Sequence, residues 1–316
     1  MAGGLDDVHP IVGMLGRRAG TTVVAPPGSE PGHWAGAPSA VWHNGTFWLA
    51  YRLRRPVDAG RGYANVIARS EDGFHFETVA QVTSSQFESA SLERPALAAA
   101  PDGTWRLFVS CSTERTKHWW VEMLTAFTPE GFGGRGRVVL PGDDLTAWKD
   151  PVVLPASAGQ GGKAADEWRM WACRHHIANP DEADRMESWY ATSVDGERWE
   201  LRRTALSPTQ GTWDERGVRV TAVLPSRDGR WLALYDGRAS AKENWEERTG
   251  AAISVGDAPD HFEALHRGPL VRSPSVRYVS PVVTEDGDWF VYYEIARDDG
   301  THELQVQHLL GGRCVK

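Results

Sequence analysis

The sequence predicts an all-β fold, a five-bladed β-propeller made of four-stranded antiparallel blades. Three observations carry this. A pattern of apolar run, turn and second apolar run occurs five times in 316 residues. A tryptophan begins the second run each time, at Trp48, Trp105, Trp168, Trp231 and Trp289, with intervals of 57, 63, 63 and 58 residues. A Ser-turn-aromatic-Glu element then follows some of the hairpins and supplies a third and fourth strand. Repetition of a four-stranded unit is the signature of a propeller. A β-sandwich needs no such recurrence of one aromatic position.

Taken in order, the first hairpin is Val41 to Arg52, VWHNGTFWLAYR, folded back at Asn44-Gly45, a pair suited to a two-residue turn. Ala96 to Ser110 turns at Asp102-Gly103. Val152 to Cys173 is longer, with the insert ASAGQGGKAADE ahead of WRMWAC. Val220 to Tyr235 (VTAVLPSRDGRWLALY) and Val282 to Tyr293 (VVTEDGDWFVYY) complete the set. The elements SEDGFHFE (Ser70 to Glu77) and SVDGERWE (Ser193 to Glu200) are near copies, and SVGDAPDHFE (Ser254 to Glu263) is looser. Helix is scarce. His176 to Trp189 and Ala239 to Gly250 read as charged inserts holding at most a turn or two. No linker divides the chain, so residues 1–316 read as one domain, with 1–32 as a lead-in strand and loop to blade one.

Composition narrows the function. Hydrophobic residues make up 41%, which excludes a disordered chain. The formal charge of −8 offers no basic field for nucleic acid. No run of apolar residues is long enough to span a membrane, and the acidic start MAGGLDDVHP is unlike a signal peptide. Three distant cysteines, Cys111, Cys173 and Cys314, suit inert buried thiols in a reducing compartment, so a cytoplasmic location is expected. No phosphate-binding glycine loop or nucleophile elbow occurs, and no cofactor or metal is expected.

In a propeller the first strand of each blade lines the central channel. Residues just ahead of those strands therefore converge at one mouth. They include Trp34 and Ala37 in blade one, Glu93 and Arg94 in blade two, and Trp148, Lys149 and Asp150 in blade three. Blade four offers Glu215 and Arg219, and blade five Arg277 and Tyr278. Pro38, Pro95, Pro151 and Pro281 read as equivalent strand-start prolines. Carboxylates, arginines and aromatics at one mouth suit a hydroxylated or anionic small molecule.

At these residues the sequence resembles the propeller glycosidases and phosphorylases of glycoside hydrolase families 43, 32 and especially 130. SAVWHNGTFWLAYR with ARSEDGFHFE resembles the first blade of family 130, and WLALYDGRASAKENWEERTGAA one of its strand pairs. WKDPVV resembles the Asp-Pro strand starts of all three. The resemblance implies an enzyme acting on a small saccharide or glycoside by hydrolysis, or by phosphorolysis. It also shows departures. Ala37 stands where families 43 and 32 place a base or nucleophile, and Arg94 where family 130 places its catalytic Asp. Asp150 keeps the position associated with tuning the acid, and Glu215 is the expected general acid before blade four.

Glycoside hydrolysis needs two flanking carboxyl groups, and the expected catalytic set is Glu93, Asp150 and Glu215. The expected substrate-binding set is Trp34, Arg52, Arg94, His175, Arg219, Asp236 and Glu294. Arg52, Arg94, Arg174 and Arg219 could grip an anion through their planar forks. His175 or His176 would face the channel, because side chains alternate along a strand. Trp34 and Trp148 could stack on a sugar ring. The missing acids leave a rival reading, a sugar-binding or redirected propeller without hydrolysis.

Overall fold

The computed structural model describes residues 9–13, 15, 19–156, 167–226, 228–265 and 268–311, and its strands form five antiparallel blades. Blade one is β2 (Trp34–His43), β3 (Thr46–Arg54), β4 (Gly62–Ser70) and β5 (Glu77–Thr83). Blade two is β6 (Ala96–Ala99), β7 (Trp105–Ser112), β8 (Trp119–Ala126) and β9 (Arg137–Leu140). Blade three is β10 (Thr146–Leu154), β11 (Trp168–His176), β12 (Met186–Ser193) and β13 (Glu200–Leu206). Blade four is β14 (Gly217–Pro225), β15 (Trp231–Arg238), β16 (Arg248–Ser254) and β17 (Phe262–Ala264). Blade five takes β18 (Val276–Val283), β19 (Trp289–Ala296) and β20 (His302–Leu309) from the end of the chain. Most of the Gly-rich insert, residues 157–166, and Cys314 lie outside the described residues.

The fourth strand of blade five comes from the lead-in to blade one. β1 (Thr21–Val24) does not join blade one; it pairs antiparallel with β20, Thr21 opposite Val306. An unpaired outer edge on β20 would expose a row of backbone donors and acceptors. The N-terminal segment covers that edge and then enters β2, so the ring is closed by both ends of the chain. A four-residue strand with no hairpin neighbour gives no local signal of its partner.

The core explains why the repeat is spaced as it is. Five apolar clusters fill the five gaps between adjacent blades. Phe108 and Trp168 meet between blades two and three, Trp171 and Trp231 between three and four, and Leu234 and Val291 between four and five. Ile67 and Trp105 join blades one and two, while Phe47 and Phe290 join one and five. Trp48 and Trp105 approach with ring centroids 5.3 Å apart. The hairpin tryptophans thus pack in four of the gaps, Trp48 and Trp105 sharing one, and Phe47 and Phe290 fill the fifth. The two near-copy turns are copies in their bonding too. The Ser70 and Ser193 hydroxyls each accept from the glycine N–H three residues on, both at 2.9 Å. No helix among the described residues is long and apolar enough to cross a membrane.

One local feature positions the site. In β2, β10 and β18 the pairing slips near the strand start, between Gly36 and Ser39, Lys149 and Val152, and Arg277 and Ser280. The first extra residue of each bulge, Ala37, Asp150 or Tyr278, has φ of 52°, 51° or 54°. Such bulges re-aim a side chain and are common beside functional sites. The registers make Pro38 and Pro151 equivalent, but Val279 holds that place in blade five, and Pro281 falls two residues later.

Candidate functional site

The registers stack equivalent residues at the front mouth, where inner strands begin. Opposite each other sit Gly36 and Arg52, Lys149 and Cys173, Arg219 and Asp236, and Arg277 and Glu294. In blade two the Glu93 N–H donates to the Ser110 carbonyl at 2.9 Å, giving the corresponding pair. Five blades thus deliver charged side chains to one small volume. Glycine at position 36 is required there, because a Cβ would lie 2.2 Å from Glu294 Oε2.

Most of these charges are tied into buried ion pairs. Arg52 donates to Glu93 and to Glu294. Arg277 donates to Glu294 Oε1 at 2.6 Å and to Glu247 Oε2 at 2.5 Å. Arg238 continues the chain to Glu247 and Asp184. Deeper, Arg219 bridges Asp150 at 3.0 Å and Asp236 at 2.8 Å. The Tyr278 ring covers three of these guanidinium groups, 3.9 Å from Arg219, 5.3 Å from Arg277 and 5.7 Å from Arg52. Burial alone would raise the carboxyl of Asp150, but Lys149, Arg219, Arg52 and Arg94 outweigh it and hold the group below the usual range. Glu294 lies well below that range: burial opposes its charge, while Arg277, the His302 hydrogen bond and Arg52 prevail. Both are carboxylates at neutral pH, with no proton to donate.

The front cavity measures about 90 Å³ and is lined by eight cations, Arg52, Arg54, Arg61, Lys117, Lys149, Arg219, Arg238 and Arg277. Against them stand three carboxylates, Glu93, Asp184 and Glu247. The −8 of the whole chain is reversed locally. Arg54 is the sharpest case. It is 2% exposed, yet its guanidinium has no hydrogen bond or ion pair among the described residues. Instead it lies between two rings, 4.0 Å from Trp34 and 4.9 Å from Trp245. Burial, with Arg52, Arg61 and Arg277 around it, pushes this group well below the ordinary guanidinium value. Among the described residues Arg61 likewise has no carboxylate partner, and Lys149 has one ion pair, with Asp150 at 3.8 Å, and lies 5.2 Å from the Trp119 ring. No group of three His, Cys, Asp or Glu among the described residues is placed to hold a metal.

Of the residues expected from sequence, Glu93, Arg52, His175 and Arg219 line this cavity. Asp150, Asp236 and Glu294 lie fully buried just behind it, held by Arg219, Arg52 and Arg277. Glu215 is not brought in. Its carboxylate accepts from the Gly211 N–H at 2.8 Å in the loop before β14, because Arg219 occupies the facing position of that strand. Arg94 lies on the other side of the cluster, outside the front cavity. Trp34 cannot stack on a sugar, since His302 covers one face at 4.2 Å and Arg54 approaches its ring at 4.0 Å. Trp148 packs on Trp189, while Arg174 and His176 pair with Glu187. Sequence reasoning passed over Arg54, Arg61, Arg238 and Glu247. Arg54 was detectable, because YRLR places it two residues from Arg52 on the same strand face.

His175 shows how this environment acts on a titratable group. Its Nδ1 donates to the Ala183 carbonyl at 3.0 Å, and burial together with Lys149 pushes the ring down to about 3 from 6.5. The folded chain leaves it neutral where the unfolded chain protonates it. Stability is therefore complete above the unfolded value and is lost as pH falls from 6.5 towards 3. Replacing His175 with Asn should remove this contribution. Urea titrations at about pH 7 and about pH 4.5 should show the wild type losing more stability than the variant, by on the order of 2 kcal/mol. Equal losses in the two proteins would contradict the assignment.

No protein-family model matches the chain, and no curated protein matches it in sequence. Solved structures do share its fold. A glycosyl hydrolase from Bacteroides ovatus is similar with a TM-score of 0.66 and 16% identity, over 93% of this chain and 94% of that one. The β-1,2-mannobiose phosphorylase of Listeria innocua, solved with β-1,2-mannobiose, gives 0.64 at 15% identity over 92% and 94%. A thermostable family-43 glycoside hydrolase gives 0.63 at 15% identity over 91% and 93%. At such identities the likeness speaks for the fold.

Proposed function

We propose that the protein is a carbohydrate-active enzyme whose front cavity takes the negatively charged group of a small saccharide or glycoside. One observation carries this reading: eight cations against three carboxylates line the cavity, with Arg54 buried and unpaired. A buried cation without an anion is costly, and a ligand that supplies the anion repays that cost. The cavity, at about 90 Å³, is far below the roughly 300–1,000 Å³ that encloses a whole small molecule. It suits one carboxylate or phosphate group, with the sugar ring above it near Trp119 and Trp245.

The clamped carboxylates disfavour hydrolysis by the usual pair. Glu93 faces the cavity but accepts from Arg52, and Asp150 is sealed behind Arg219. That favours phosphorolysis as a second reading, in which free phosphate occupies the cationic site and attacks the anomeric carbon. The leaving oxygen then takes one proton from a single acid, for which Glu93, released from Arg52, is the candidate. Calorimetry with uronates, hexose phosphates and the matching neutral hexoses tests the first reading. Binding at least tenfold tighter for the anionic sugars is expected, and equal binding would refute it. Cleavage of an aryl glycoside that requires phosphate would select phosphorolysis; binding with no turnover would select a sugar-binding role.

A further inference from the structure

The channel opens again at its rear mouth, where the inner strands end, into a separate cavity of about 440 Å³. That volume is within the range of sites that enclose a small molecule. All five inner strands contribute, through residues such as Ala40, Leu97, Val153, Val223 and Pro281. The chemistry is the reverse of the front mouth. Among the described residues no carboxylate and no lysine lines it, and Arg94 is its one arginine.

Arg94 is 3% exposed and lies across the channel as a partition. Its Nε and Nη2 donate to the Pro38 carbonyl at 3.2 and 3.1 Å, and Nη2 also to the Thr221 carbonyl at 2.8 Å. Blades one and four are tied together through it. Its Nη1 is buried and has no partner. The Arg94 guanidinium forms no ion pair among the described residues, and the nearby carboxylates Asp150 and Asp236 are bridged by Arg219. Burial pushes the Arg94 guanidinium down to about 10, which leaves it charged at neutral pH.

We propose that the rear cavity binds a small monoanion with an apolar body, an aliphatic or aromatic monocarboxylate, held by the charge of the Arg94 guanidinium that lines it. The apolar part rests on alanine, valine, leucine and proline side chains, where its transfer from water is favourable. The site is separate from the front cavity.

Calorimetry with hexanoate, benzoate and hexanol tests it on the full chain. Saturable binding of both carboxylates is expected, with hexanol at least tenfold weaker. Arg94→Met should weaken carboxylate binding at least tenfold. Because Arg94 also joins two blades, Ala40→Phe serves as a second variant, which narrows the cavity and keeps Arg94; it should cause a similar loss. Arg54→Met, at the front mouth, should leave hexanoate binding unchanged. Absence of saturable binding, equal binding of hexanol, or binding lost in Arg54→Met but kept in Ala40→Phe would overturn the proposal.

Discussion

Replacing Arg219 with methionine should lower the unfolding free energy by about 3–5 kcal/mol, because it breaks a buried ion triad from the middle. Arg219 is 2% exposed and bridges Asp150 and Asp236, each fully buried. Without it the two carboxylates lose the cation they share, and Asp150 keeps Lys149 at 3.8 Å and the Arg94 N–H at 3.1 Å. The melting temperature should fall by on the order of 10 °C for a chain of this size. The pH dependence identifies the cause. In the variant one carboxyl binds a proton more readily folded than unfolded, so its stability is retained in acid and lost as pH rises. In the wild type burial raises Asp236, but Asp150 is held below its ordinary value and supports folding above the unfolded pKa, a contribution that goes with Arg219. The gap between the two proteins should therefore narrow from pH 7 towards about pH 4.5. A gap that stays constant across this window would show that lost packing against Tyr278, not charge, explains the effect.

Arg54→Met should do the reverse, leaving stability unchanged or raised while removing function. Arg54 gains two stacking contacts, each about 0.5–2 kcal/mol, and is desolvated at a cost of several kcal/mol without a paired anion. A methionine of similar length fills the space between Trp34 and Trp245 without that cost. Thermal melts without ligand should show no loss, and affinity for an anionic saccharide should fall more than tenfold. A large drop in melting temperature with unchanged affinity would mean that Arg54 is a structural residue and that the anion binds elsewhere. Opposite signs in stability and binding separate a ligand-binding cation from a structural one such as Arg219.

Much of the site was legible in the sequence because strand alternation is local. Glu93, Arg94, Asp150 and Arg219 could be assigned to the inner-strand starts, and Asp236 and Glu294 to the ends of the second strands, from hairpin register alone. What each side chain does there was not legible. Glu215 lies four residues from Arg219, and only the pairing of Arg219 with Asp236 shows which of them faces inward. Trp34 looks like a sugar platform until His302, 268 positions later, covers its ring. Arg94 and Glu93 are neighbours in sequence, yet they line cavities at opposite ends of the channel.

The sequence by itself determined the all-β class, the five blades and the place of the five hairpin tryptophans. These follow from short-range patterns repeated along the chain, and a repeat is visible without knowing what it packs against. Tertiary structure alone decided that β1 closes blade five, that the front cavity is cationic and that the carboxylates behind it are clamped. The physical reason is that net charge in a cavity depends on which of many distant groups pair. Acids and bases are nearly balanced in the chain, with 42 against 34. Their pairing across blades leaves Arg54 and Arg61 without carboxylate partners among the described residues.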